Sequence, residues 1–307
     1  MAAETLCADS IGSPPPAMTG VELAAMRAEE GDAVVLRQGC HWRTAYPGFY
    51  QPIDLLARMR AADVSRPARL CWGFRAALGE TDVHLANASL PVHLLFDAQR
   101  FDEGMLSRNR RSDLRRSRRL VAFRRLDTPA LLLEQGYEVF SSAVRRLGYR
   151  RPLSQAQYRR RVERRARHGR RMYIAGLVEG KLRGYLDSYA VDGVLHTDEI
   201  FIATDAMRTG IGTGLYVETI LAALRGGPIR QVCNGLHRPE DPNLCRFKES
   251  VGFRVVQLPA RALIPPPIRV YLRARRPATY YRLTGDGDAL TAVGQLGSAA
   301  LDAESGA

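Results

Sequence analysis

One stretch of this 307-residue chain has the residue types of an anion cradle. Met207-Arg208-Thr209-Gly210-Ile211-Gly212-Thr213-Gly214 follows an apolar run ending at Ile202 and precedes an amphipathic stretch with Leu215, Ile220, Leu221 and Leu224. Strand, glycine loop and helix N-terminus in that order bind phosphate. Glycine lets backbone N–H groups approach an anion, and the helix dipole adds positive charge. Arg208 offers a further charged donor. The G-x-G-x-G spacing differs from the G-x-G-x-x-G of a dinucleotide fold and from the G-x-x-x-x-G-K-[ST] of a Walker loop. The structural alternative is that the three glycines seat a helix tightly against a sheet.

Other residues could move protons. The strand that precedes the loop carries His196, Asp198 and Glu199. Alternation puts His196 and Asp198 on one face and Thr197 and Glu199 on the other. Each is a candidate general base, histidine having an intrinsic pKa near neutrality. Lys248 is one of only two lysines, with Lys181, in an arginine-rich chain. It is a candidate for stabilising a leaving group or binding a phosphate. Cys233 with His237 could make a nucleophilic thiol, although small buried cysteines are the commoner case. Asp9, Asp32, His84 and His93 have no metal-ligand spacing, so no metal is expected. Trp42 and Tyr46-Pro47-Gly48-Phe49-Tyr50 read as core, or as the lining of an acceptor pocket.

The elements that must position these residues are legible from periodicity. Met172–Val178, Leu182–Val191 and Val194–Ile202 read as three strands joined by Glu179-Gly180 and Asp192-Gly193 turns, an antiparallel meander. After the loop helix come a strand at Ile229–Asn234, a polar loop, a short helix at Asn243–Val251, and Gly252-Phe253 opening a last strand. Upstream, Thr19-x-x-Glu22 is a capping box that starts a helix. Ala33–Leu36 reads as a buried strand and Pro52–Met59 as a helix. Leu70–Phe74, Val83–Leu85 and Val92–Phe96 read as strands. Arg108–Leu120 is a very basic helix, followed by a strand at Val121–Phe123 and helices at 129–147 and 154–168. Residues 1–17 and 285–307 read as a disordered lead-in and tail.

Composition narrows the class. Apolar residues are 46% and charged residues 25%, which is ordinary for a globular chain. No run approaches a membrane span, and Met1-Ala2-Ala3-Glu4 does not begin a signal peptide. Five cysteines without CxxC spacing fit a reducing cytoplasm. The formal net charge of +13 reflects either a bias towards arginine or a polyanionic partner.

The order meander, glycine loop, helix, strand, helix, Gly-Phe, strand over residues 170–260 resembles the core of the GNAT acyltransferase superfamily. In that family a loop [QR]-x-x-G-x-[GA] holds the pyrophosphate of coenzyme A; here Met207 stands in the first slot and Arg208 follows it. Many members place a tyrosine four residues before the Gly of Gly-Phe, where this chain has Lys248. The Phe247-Lys248 pair is similar to the Fem-type branch, the aminoacyltransferases of peptidoglycan bridges. That branch doubles the fold and joins the halves through a basic helix, which Arg108–Arg119 resembles.

The resemblance implies an α/β (α+β) GNAT fold with a mixed central sheet, an antiparallel meander and two tandem GNAT-like halves. Residues 18–126 would form a degenerate GNAT-like domain and 127–284 an acyl-CoA-binding domain. It implies an N-acyltransferase that passes an acetyl or other acyl group from acyl-CoA to an amine by direct attack, with no metal. Ile202 would supply the backbone donor for the oxyanion, residues 207–214 would hold the cofactor, and a strand carboxylate (Glu199 or Asp198) or His196 would be the base. Two alternatives stay open: an aminoacyl-tRNA donor gripped by Arg108–Arg119 and Arg145–Arg171, and a non-catalytic binding module.

Overall fold

The computed structural model describes residues 14–148, 151–225 and 227–288. In chain order the elements are β1 (Ala17–Met18), α1 (Gly20–Glu29), β2 (Val34–Arg37), β3 (Cys40–Tyr46), β4 (Phe49–Pro52), β5 (Arg58–Met59), β6 (Gly73–Leu78), β7 (Ala88–Leu95), α2 (Arg108–Leu120), β8 (Ala122–Arg125), α3 (Ala130–Leu147), α4 (Gln155–Ala166), β9 (Met172–Val178), β10 (Lys181–Val191), β11 (Val194–Ile202), α5 (Ile211–Leu224), β12 (Gln231–Leu236), α6 (Pro242–Ser250), β13 (Arg254–Leu263), α7 (Pro266–Arg275) and α8 (Pro277–Thr284). No described helix is long and apolar enough to cross a membrane.

The chain divides into two compact units that interleave along the sequence. Among the described residues, the first holds those up to Gly31, Leu94–Gly235 and Phe247–Arg254; the second holds Asp32–His93, Leu236–Arg246 and those from Val255 to 288. The expected division at residue 126 is not where the contacts divide. β8 pairs antiparallel with β9, Ala122 opposite Leu177 and Arg125 opposite Ile174. Residues 94–126 therefore go with the meander, and the β13 residues from Val255 on go with β6 (Ala260 opposite Ala77).

In the first unit β8, β9, β10 and β11 form an antiparallel meander, and β12 joins β11 in parallel. The sheet is mixed, as the periodicity predicts. One core lies under α5, with Ile174, Leu186, Ile211, Leu215, Val217, Ile220, Val251 and Phe253 all buried. The other lies under α3 and α4, with Val139, Phe140, Tyr158, Tyr185 and Phe201. The capping box forms: the Glu22 N–H donates to Thr19 Oγ1 at 3.3 Å, and the Thr19 N–H donates to the Glu22 carboxylate at 2.9 Å. The expected lead-in and tail lie largely outside the described residues; Ala17 and Met18 pair with Ala190 and Val191 of β10.

The second unit departs further from the periodicity. Pro52–Met59 is not a helix. Pro52 ends β4 opposite Trp42, and the Asp54 carboxylate accepts the Leu56 N–H at 3.0 Å, folding the segment into a turn. Val83–Leu85 is not a strand but the end of a 3-10 turn (Glu80–Leu85), anchored where Asp82 accepts the Ala61 N–H at 2.6 Å. β2 pairs only with β3, and Leu36 is 62% exposed, so the expected buried strand is half open to solvent. Trp42 and Phe49 are fully buried in two small cores.

The register of β10 and β11 slips by one residue: Asp187 is opposite Glu199, but Ser188 is opposite Thr197. Asp198 is the extra residue of a β-bulge, which breaks strict alternation. Asp198 and Glu199 consequently both reach Arg165. Arg165 is 2.8 Å from Glu199 and 3.4 Å from Asp198. Arg171 pairs with Glu30 at 2.5 Å, and with Asp187 and Asp198 at 2.9 Å each. Arg27 pairs with Glu30 and Asp198, and Arg161 with Glu199. Four cations and four carboxylates close this network: Arg27 and Glu30 from α1 and its C-cap, Arg161 and Arg165 from α4, Arg171 just before β9, and Asp187, Asp198 and Glu199 from β10 and β11. Burial pushes the Asp198 carboxyl up, but Arg27, Arg171 and Arg165 outweigh it and hold the group well below the usual carboxylate range.

The basic helix α2 packs on α5 through the glycine loop. A Cβ on Gly210 would lie 2.5 Å from the Asp113 carbonyl oxygen, and Gly210 has a φ of +79°. A Cβ on Gly214 would lie 2.2 Å from the Phe123 ring and 2.8 Å from Ser117 Oγ. One on Gly212 would lie 3.1 Å from Ile202. Arg110 bridges the junction, donating to Ser250 Oγ at 3.0 Å and Asp113 at 2.8 Å, with its guanidinium 4.9 Å over the Phe247 ring.

Two consequences are measurable by denaturant titration. Arg171→Met leaves Glu30, Asp187 and Asp198 converging on one fewer cation, and costs about 3–5 kcal/mol at neutral pH. Because the folded Asp198 value is depressed, the contribution of Asp198 is present above about pH 4 and lost as pH falls through that depressed value. The gap between wild type and variant therefore narrows in acid. Gly214→Ala costs about 1–3 kcal/mol by overpacking the junction. Gly20→Ala, where a Cβ meets open space, stays within about 0.5 kcal/mol.

Candidate active site

The parallel ladder between β11 and β12 is short. It joins Val194 to Gln231, Leu195 to Val232 and His196 to Cys233, and stops there. β11 runs six residues further, to Ile202, and β12 runs on to Leu236. Backbone groups beyond the ladder's end must find other partners. Thr197 Oγ1 donates to the Cys233 carbonyl at 3.3 Å. Lys248, only 6% exposed, extends from α6 and donates to the Asn234 carbonyl at 2.7 Å. The amide side chain of Asn234 accepts from Tyr216 of α5 at 3.4 Å.

Ile202 faces the opened side. The Ala203 N–H donates to the Arg183 carbonyl at 2.8 Å, which makes Gly184 and Ile202 a non-hydrogen-bonded pair. The Ile202 N–H and C=O therefore point away from β10. Arg146 of α3 satisfies the carbonyl at 2.8 Å. Ile202 and Phe247 approach the first turn of α5, 3.1 and 4.0 Å from the Cβ position of Gly212, and Lys248 takes the Asn234 carbonyl just past the end of the ladder, where the strands part into a gap. Such a gap can admit a carbonyl carbon, offer its oxygen a backbone N–H and hold a cation nearby.

The other expected site residues are arranged differently. Asp198 and Glu199 belong to the arginine network. His196 is buried and stacks on Tyr189, with ring centroids 5.1 Å apart and an interplanar angle of 4°. Met207 is 48% exposed, and the Arg208 carbonyl accepts from Arg116 of α2 at 3.0 Å. Thr209 Oγ1 donates to the Ala206 carbonyl at 2.8 Å and accepts the Ile211 N–H at 3.3 Å, closing the loop on itself. Thr213 is buried within 3.4 Å of Arg110. Two of the loop's three glycines therefore pack closely, Gly210 against α2 and Gly214 against α2 and β8. Sequence reasoning missed Arg110, Asp113 and Arg146. An arginine in a run of arginines carries no positional signal.

No protein-family model matches the chain, and no curated protein matches it. Solved structures do. A C-terminal domain assigned to a lysylphosphatidylglycerol synthetase from Agrobacterium fabrum superposes with a TM-score of 0.55 at 13% identity, covering 81% of this chain and 93% of that one. FemX gives 0.55 at 9% identity over 83% and 98%. L-PGS from Bacillus licheniformis gives 0.52 at 12% identity over 89% and 99%. The chain has the GNAT-like fold, in the form found in Fem-type and lysylphosphatidylglycerol synthetase domains.

Proposed function

We propose that the protein is an acyltransferase that works in the gap between β11 and β12, by direct attack of an amine on an aminoacyl ester carried by tRNA. The observation that carries the reaction type is the early end of the β11–β12 ladder, with the Ile202 N–H turned to the opened side and Lys248 bordering it. The amine nitrogen attacks the ester carbonyl carbon and a C–N bond forms. The carbonyl oxygen takes up negative charge beside the Ile202 N–H, the type of backbone donor that is most effective at such a point. Collapse breaks the C–O bond to the ribose. The Lys248 ammonium stabilises the departing oxygen, which takes up a proton. Asp198, held ionised by three arginines, is too weak a base for this step. Glu199 is paired with Arg161 and Arg165 in the same way, so the amine loses its proton through water or through His196.

The choice of donor rests on the packed glycine loop and on the arginines left in solvent. With Gly210 and Gly214 closed under α2, the loop favours acyl-CoA less than its sequence does. Arg108, Arg115 and Arg119 of α2, and Arg159, Arg160, Arg164 and Arg167 of and after α4, are exposed in the same unit. They suit a phosphate backbone. Its fold neighbours include a Fem-type protein and a lysylphosphatidylglycerol synthetase domain, which agrees with this choice.

Two expected outcomes test the proposal. Transfer of a radiolabelled amino acid from a mixed aminoacyl-tRNA pool to an amine acceptor should fall about a hundredfold in kcat for Lys248→Ala, with circular dichroism unchanged. Equal turnover by the variant contradicts the role of Lys248. Transfer from acetyl-CoA with none from aminoacyl-tRNA would reinstate the acyl-CoA donor. Binding of tRNA should weaken with salt, with a log–log slope of about −3 or steeper if four or more phosphates are contacted. Arg160→Glu with Arg164→Glu should reduce that slope by about two. A slope near zero would remove tRNA as a partner.

A further inference from the structure

We propose that His93, His237 and Cys245 form a binding site for a divalent transition-metal ion, Zn2+ being the best-suited occupant. A ring nitrogen of each histidine and the Cys245 sulfur all lie within 4.8 Å of one another. All three belong to the second unit. In a tetrahedral zinc site, bonds of about 2.0–2.1 Å to nitrogen and 2.3 Å to sulfur set the donor atoms roughly 3.3–3.8 Å apart. A contraction of about 1 Å by side-chain rotation therefore closes the shell.

The surroundings are those of a ligand set. His93 is fully buried, Cys245 is 6% exposed and His237 is half-buried, so the trio is largely shielded from solvent. The two imidazoles meet edge to face with centroids 5.3 Å apart. His237 Nδ1 is 2.8 Å from the Tyr281 hydroxyl, which accepts from Gln257 at 3.2 Å. A hydrogen bond at one ring nitrogen fixes an imidazole's orientation and directs the other nitrogen to an ion. The backbone holds the strands of the site together: the His237 N–H donates to the Pro91 carbonyl at 2.9 Å, two residues from His93. The Cys245 N–H donates to the Asp241 carbonyl at 3.1 Å at the start of α6.

Two imidazoles and a thiol select zinc, cobalt or copper over magnesium or calcium, which prefer oxygen. Binding exchanges the thiol proton for the cation. The S–H bond breaks, the proton goes to solvent, the metal–sulfur bond forms and no oxidation state changes. Three protein ligands leave a fourth position for water or an incoming group.

The test uses the full-length protein. After dialysis against Zn2+ and then metal-free buffer, elemental analysis should find one zinc per chain. Titration with Co2+ should produce a thiolate-to-cobalt charge-transfer band that saturates at one equivalent and is absent in Cys245→Ser. Tyr281→Phe should weaken Co2+ binding about tenfold, the usual effect of losing an outer hydrogen bond. A measurement on the unmutated chain guards against misfolded variants. Zn2+ should slow alkylation of Cys245 under native conditions, read peptide by peptide, and leave Cys40 unaffected. No retained zinc, a charge-transfer band that persists in Cys245→Ser, or Cys245 alkylation at the same rate with and without Zn2+ overturns the proposal.

Discussion

Two adjacent parallel strands that part after three residue pairs leave peptide groups with no ladder partner, and such groups are costly to bury unmatched. The neighbourhood of the candidate site follows from that constraint. The Asn234 carbonyl takes the Lys248 ammonium, the Cys233 carbonyl takes the Thr197 hydroxyl, and the Ile202 carbonyl takes Arg146. Each solution fixes an element: α6 by its lysine, the end of β11 by α3. What the register leaves turned towards the gap is the Ile202 N–H, a donor held in place by strands on a rigid sheet. A preorganised donor of that kind stabilises developing charge without reorganising as the charge forms.

The arginines divide into two populations with different physics. Arg27, Arg161, Arg165 and Arg171 are tied to carboxylates beneath the meander, where they fix the bulge and hold Asp198 ionised. Arg110 and Arg116 pair with Asp113 while α2 seats on the glycine loop. These residues are structural, and their charge is spent internally. Exposed arginines on α2 and α4 make the field that an approaching polyanion meets. The net charge of the sequence does not separate the two populations, and only the second bears on partners.

Much of the fold was legible in the sequence. The meander, α2 and the capping box of α1 lie close to where periodicity and turn chemistry put them, because local signals and tertiary packing agree there. Pro52–Met59 failed because a hairpin partner, Trp42, outweighed a helical N-terminus signal. The site was legible in part. Ile202 and Lys248 stood out in the sequence, and the structure puts Ile202 at the far end of β11 and Lys248 against the Asn234 carbonyl of β12. The bulge at Asp198 could not be read, since a one-residue slip depends on the partner strand, and it moved two candidate bases into an ion network. Gly210 and Gly214 pack against neighbouring elements, and spacing alone cannot separate glycines that face an anion from glycines that face a helix. The His93, His237 and Cys245 trio was invisible because its members come from three distant segments and have no motif spacing.

The central claim is that acyl transfer occurs where β11 and β12 part. The most direct measurement is a crystal structure of the protein with a phosphonate analogue of the tetrahedral intermediate, built from an aminoacyl-adenosine and an amine. The account predicts one phosphonate oxygen about 2.7–3.1 Å from the Ile202 nitrogen and the ribose oxygen beside Lys248. An analogue bound away from the gap, or β11 and β12 paired through to Ile202 in its presence, would contradict it.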